Sequence, residues 1–203
     1  MVIWSILTQQ AWEQLLRRGR LRASLRHIIK EFLGPYLWMA EQMERRLAAP
    51  RPSKAAMPIW AWYRWTARRC KPDLRATGHL PRGERGIRLE MQVADERVLL
   101  SDFDLWHYVL NYWYLPESER AGDEFEKKLA KEGLSYFKCD HQRPLPHTEY
   151  RQAIEKSWER IFELNWADRQ HAVADPPEKK LIQATLWELV LEDVLEATNF
   201  TAR

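Results

Sequence analysis

The chain has 203 residues, of which 45% are hydrophobic and 30% charged, the balance of a folded globular protein rather than a disordered one. Its net charge is only +3, no apolar run approaches the roughly 20 residues of a membrane span, and its two cysteines, Cys70 and Cys139, form no CxxC pair. Membrane-spanning, disulfide-stapled and cysteine-zinc classes are thereby excluded, and both thiols are expected to be free.

A chain of this length fits one domain, so a single domain over 1–203 is expected. The opening residues lack the basic start and small-residue cleavage site of a signal peptide, which points to the cytoplasm. Val2 to Thr8 is β-branched and aromatic enough for a strand, with Thr8 placed to cap a helix. That helix carries Ala11, Trp12, Leu15 and Leu16 on one face and stops at Gly19. From Leu25 to Leu47 apolar residues recur at helical spacing, and Pro35 is expected to bend or split this second helix.

The stretch from Ala48 to Pro58, with three prolines, reads as a loop. Pro58 to Trp65 then reads as a strand with Trp60 and Trp62 on one face and Ile59, Ala61 and Tyr63 on the other. A polar segment to Gly86 precedes a second clear strand, Ile87 to Val93, whose alternation gives it one wet face. Ser101 followed by Asp104 resembles a capping box before a helix that buries Leu105, Trp106, Val109, Leu110 and Trp113. Residues 117–132 read as an exposed short helix or insertion, and 148–163 as an amphipathic helix with Tyr150, Ile154, Trp158, Ile161 and Phe162 inward. Asp175-Pro-Pro-Glu is a break. Leu181 to Leu191 fits helix or strand by period, and strand is chosen because Thr, Trp and Val favour a pleated surface. The expected class is α+β: a small antiparallel or mixed sheet with helices packed to one side.

Eleven tryptophans must either anchor a core or line a site. Trp60, Trp62, Tyr63 and Arg64 interleave aromatic and basic groups, a pattern that stacks on a base or a nicotinamide ring, although rings at strand spacing more often belong to a core. Asp104, His107 and Asn111 share one helical stripe, which suits His107 for acid-base work or, more simply, for a bond to a dipole-complementing carboxylate. In the late strand Gln183 and Glu188 are candidates to address a ribose. The histidines are scattered without HxxxH or HExxH, so no metal site is indicated, and GxGxxG, GxxxxGK[ST] and GxSxG are all missing. Residues 1–88 carry a net +12 and residues 89–203 a net −9. Such a basic half attracts nucleic acid when exposed, or pairs internally with the acidic half.

The strings IWSILTQQAWEQLLRRGRLR, YLWMAEQMERR, PIWAWYRW, VLLSDFDLWHYVLNYWYLP, IEKSWERIF and IQATLWELVLE resemble the blocks of a bacterial family of domains of unknown function, over nearly the whole chain. The layout is also similar to that of small ADP-ribosyltransferase-like proteins: a first strand, a helix ending in Gly-x-Leu, central aromatic strands and a late acidic strand. That resemblance implies a nucleotide ligand, with NAD as the cofactor, and assigns Thr8, Tyr63 and Gln183 or Glu188 to it. Trp4 stands where that pattern carries His or Arg. The competing expectation is a non-enzymatic protein that binds nucleic acid or another protein through a basic, Trp-rich surface.

Overall fold

The computed structural model describes residues 1–66, 71–167 and 173–203. Cys70 and His171 lie outside the described residues. In chain order the elements are β1 (Val2–Thr8), α1 (Gln9–Arg18), β2 (Arg20–Leu21), β3 (Ala23–Ser24), α2 (Leu33–Arg46), β4 (Ala56–Met57) and β5 (Ile59–Arg64). There follow β6 (Arg85–Gln92), β7 (Leu99–Asp102), α3 (Phe103–Leu110), α4 (Glu119–Lys131), α5 (Thr148–Ser157), β8 (Ile182–Leu186), β9 (Leu189–Val190) and β10 (Val194–Thr201). The chain is α+β and divides into two compact units, one of Met1–Ile28, Tyr36–Leu100 and Ile182–Arg203, the other of Ile29–Pro35 and Ser101–Leu181.

The first unit is organised by a six-stranded antiparallel sheet in the order β10-β6-β1-β5-β8-β7. Period-two alternation sorts its side chains. Leu7 stands opposite Ile87 and Ile3 opposite Met91 across β1 and β6, and Ala61 stands opposite Ala184 across β5 and β8. These residues, with Ile59, Leu89 and Leu186, form one apolar core, against which α1 packs the fully buried Leu15 and the half-buried Ala11 and Trp12. Burying a leucine this completely contributes about 1.5–3 kcal/mol. Leu16, expected inward, is 48% exposed, because the inward stripe of α1 is centred on Ala11 and Leu15 and leaves Leu16 on its flank. On the opposite face of the sheet, Tyr36 of α2 meets Trp60 edge-on at 5.9 Å and Thr185 Oγ1 lies 4.0 Å from Met39 Sδ.

Thr8 caps α1: its Oγ1 accepts from the backbone N–H of Ala11 at 3.2 Å. Thr8→Ala is therefore expected to lower the stability of this unit by about 1 kcal/mol, read as a shift in the urea midpoint at unchanged slope. At the other end Gly19 turns left-handed, φ 69°, and its N–H closes on Leu15 O at 2.9 Å.

The long helix expected from Leu25 does not form. Leu25–His27 and Lys30–Phe32 are separate 3-10 turns, and α2 begins only at Leu33. Pro35 then sits in the first turn, where a missing N–H removes no intrahelical bond, so it starts the helix rather than bending it. The late strand is β8, but it is not the last: β10, which the sequence reading left out, lies at the edge of the sheet on β6.

In the second unit the cap of α3 is Asp102 and not Ser101. Asp102 Oδ1 accepts from the N–H groups of Asp104 and Leu105 at 3.0 and 3.1 Å, while Ser101 is fully buried within β7. The other oxygen of Asp102 receives Lys180 Nζ at 2.7 Å, and both side chains are enclosed. Leu105, Trp106 and Val109 point inward as expected. Trp113 does not, being 38% exposed, because Tyr112 adopts φ 57° and itself takes the buried position. Tyr112, His141 and Trp158 pack as three rings with centroids 5.2–5.6 Å apart. Burial holds the His141 imidazole below its ordinary range, and its Nε2 lies 2.6 Å from Val109 O.

Candidate functional site

Gly19 reverses the chain after α1 and sends it into β2, whose backbone pairs Arg20 with Val190 and Leu21 with Leu189 of β9. One further step of that antiparallel register sets Arg22 opposite Glu188. The side chains meet there: Arg22 Nε donates to Glu188 Oε2 at 2.7 Å, and Arg20 NH1 lies 3.6 Å from the same oxygen. Arg20 and Arg22 share a side of the strand because they are two residues apart. β3 then pairs Ala23 with Met57 and Ser24 with Ala56, which carries the chain toward the start of β5.

These short pairings enclose an open cavity of about 360 Å³ beside α1. Its apolar lining comes from Leu7, Ala11, Leu21, Ala23 and Ile59, and its polar lining from Thr8, Gln10, Gln14, Arg22 and His27. The size lies at the lower end of the range for small-molecule sites, and an apolar surface with a few converging polar groups is their usual make-up. Gln10 and Gln14 are four residues apart on α1, so both reach the same side. His27 Nδ1 shares a hydrogen bond of 3.2 Å with Ser24 Oγ.

Of the residues singled out in the sequence, Thr8 lies on this cavity and Glu188 stands beside it through Arg22. Trp60, Trp62 and Gln183 are elsewhere: Trp60 pairs with Thr185 and Trp62 with Gln183 on the sheet face opposite the apolar core. Tyr63 packs against that core, and Arg64 ends β5 opposite Ile182. Trp62 meets Trp65 edge-on at 4.6 Å, and Trp65 stacks obliquely on His79 at 5.0 Å. The same face carries a charged network. Lys71 Nζ lies 2.8 Å from both Glu90 Oε2 and Glu196 Oε2, and Trp4 Nε1 donates to Glu90 at 3.0 Å. Lys71, and next to it Trp4, hold the Glu90 carboxyl below its ordinary range. His107 belongs to the second unit, exposed on α3, with Nδ1 3.1 Å from Phe103 O and 3.2 Å from Asp104 O. Burial, and after it the nearby Asp102, raises the Asp104 carboxyl above its ordinary range.

Arg22, Gln10, Gln14 and His27 escaped the sequence reading. The alternation Arg20-Leu21-Arg22 directly after a helix-stopping glycine was the available signal. The charge asymmetry along the chain is partly cancelled in the fold, since Arg20, Arg22, Lys71 and Arg88 of the basic half face Glu188, Glu90 and Glu196 of the acidic half. Among the described residues no group of three or more His, Cys, Asp or Glu side chains is placed to hold a metal ion, and no helix is long and apolar enough to cross a membrane.

Sheet, caps and cavity together define an α+β protein built on an antiparallel sheet with a cation-bearing hollow at the end of its first strand. Residues 2–195 match the family described as Domain of unknown function (DUF3841), and the chain belongs to that family. No curated protein matches the chain, and neither does any solved structure.

Proposed function

We propose that the chain binds a small-molecule nucleotide in the cavity beside α1, with NAD as the leading candidate and an ADP-ribosyltransferase-like role as the wider reading. The observation that carries this is Arg22: a guanidinium 42% exposed on the wall of a hollow whose remaining lining is apolar or neutral, with His27 the other titratable group. A planar ring fits against Leu7, Ala11 and Ile59, and a phosphate is drawn to the cation. The volume suits one nucleoside moiety, so the second half of a dinucleotide extends outside. In the wider reading Thr8 contacts the ligand near the nicotinamide, while Glu188 acts through Arg22, whose Nε donates to it. A nucleic-acid strand calls instead for a run of unshared cations, and four of the basic half are shared with carboxylates.

The test is thermal stabilisation of the full chain by NAD, AMP and adenosine. At a concentration near a hundred times Kd a ligand adds about 2.7 kcal/mol, a shift that is easily read. NAD or AMP should raise the melting midpoint, and Arg22→Ala should weaken binding about tenfold or more, the worth of a charge-assisted bond. Absence of stabilisation by all three probes, together with salt-sensitive binding to RNA or DNA, would replace this reading with the interaction-protein alternative.

A further inference from the structure

Arg22 is held in an unusual way for an ion pair at a surface. Its hydrogen bond to Glu188 runs through Nε alone, and among the described residues neither NH1 nor NH2 makes a hydrogen bond. The usual fork of a guanidinium on a carboxylate uses two nitrogens. Here one nitrogen is fixed and the outer edge, NH1 with NH2, is left over. That edge has the spacing to take two oxygens of one phosphate.

We propose that Glu188 is a positioning residue, which clamps Arg22 at Nε so that the NH1–NH2 edge is presented to a phosphate of the ligand; this rests on the nucleotide reading of the same cavity. Three features support it. Register fixes the pair, since Arg22 and Glu188 stand opposite one another one step beyond the β2–β9 pairing. The Glu188 side chain is only 21% exposed, so its carboxylate is itself held in place. Arg20 shares Glu188 Oε2, so two cations face one carboxylate and the cluster keeps a net positive charge for an anion. A guanidinium already oriented loses less freedom on binding than one that must be ordered by the ligand. The site then selects phosphate-bearing nucleotides over uncharged nucleosides, and Glu188 governs that selection without touching the ligand.

Calorimetric titration of the full chain with NAD, AMP and adenosine tests this in the wild type and in Glu188→Ala, Glu188→Gln and Arg22→Lys. Glu188→Ala should weaken NAD or AMP about tenfold through loss of orientation of a charge-assisted contact, with adenosine affinity unmoved. Glu188→Gln should recover most of that loss, because an amide oxygen still accepts from Nε. Arg22→Lys keeps the charge but has neither Nε nor a fork, and should lose phosphate discrimination as Glu188→Ala does; it decides the matter if Glu188→Ala fails to fold. Equal or tighter binding of AMP by Glu188→Ala, or undiminished discrimination in Arg22→Lys, overturns the positioning role while leaving the nucleotide reading intact. No binding of any probe by the wild type overturns both.

Discussion

Lys180→Ala should lower the stability of the second unit by about 3–5 kcal/mol, the cost of leaving a buried charge without its partner. Lys180 is fully buried, and its Nζ lies 2.7 Å from Asp102 Oδ2, also enclosed. The opposite oxygen of Asp102 already accepts two backbone N–H groups at the start of α3, so the carboxylate cannot turn away to find another donor without uncapping the helix. The double variant Lys180→Met with Asp102→Asn should recover most of the loss, since an amide oxygen still caps α3 and no charge is left in the interior. Guanidinium unfolding followed by tryptophan fluorescence checks this, and the Trp166 ring, 5.9 Å from Lys180 Nζ, is a local reporter. A loss below about 1 kcal/mol in Lys180→Ala would mean that water reaches the pair, contrary to its enclosure.

Trp158→Ala is the second large effect, also about 3–5 kcal/mol, because it removes the largest fully buried ring and leaves a cavity. The ring packs against Tyr112 at 5.6 Å and His141 at 5.4 Å, and Nε1 donates to Trp113 O at 2.6 Å. Trp158→Phe separates the two contributions. It keeps an aromatic surface but strands the Trp113 carbonyl, and should cost about 1–3 kcal/mol from that alone. The two variants, compared by urea midpoint, should rank Ala well below Phe; equal losses would assign the whole effect to the hydrogen bond.

Much of the first unit was legible because local signals agreed there. Thr8, Leu15 and Gly19 mark the start, the buried face and the stop of α1 without tertiary information, and the alternation from Ile87 to Val93 gives β6 directly. Where the sequence misled, two local rules competed. Ser101 and Asp102 are both good caps, and only the length of β7 decides between them. The run from Leu25 to Leu47 has helical spacing throughout, but the β-branched pair Ile28 and Ile29 takes extended backbone and divides the start into two short turns, so the helix begins late. The strand β10 was hidden because its residues, Val194–Thr201, are largely exposed and carry no clean alternation. The candidate cavity was the least legible part. Thr8 and Glu188 were named on their chemistry, but the residue that joins them, Arg22, is placed by two two-residue ladders, which are too short to leave a pattern in sequence.

The first unit is assembled from three separated stretches of chain, and two of the inner strands of its sheet depend on the third. β5 lies between β1 and β8, and β6 between β1 and β10, yet β8 and β10 follow the whole of Ser101–Leu181. A fragment of residues 1–100 would therefore present β5 and β6 as raw borders, with Ile59, Leu89 and Met91 beside unpaired backbone, a template for intermolecular association. Refolding must close that long intervening segment before the sheet is sealed, which makes its completion a slow, non-local event and the half-built sheet its most aggregation-prone species.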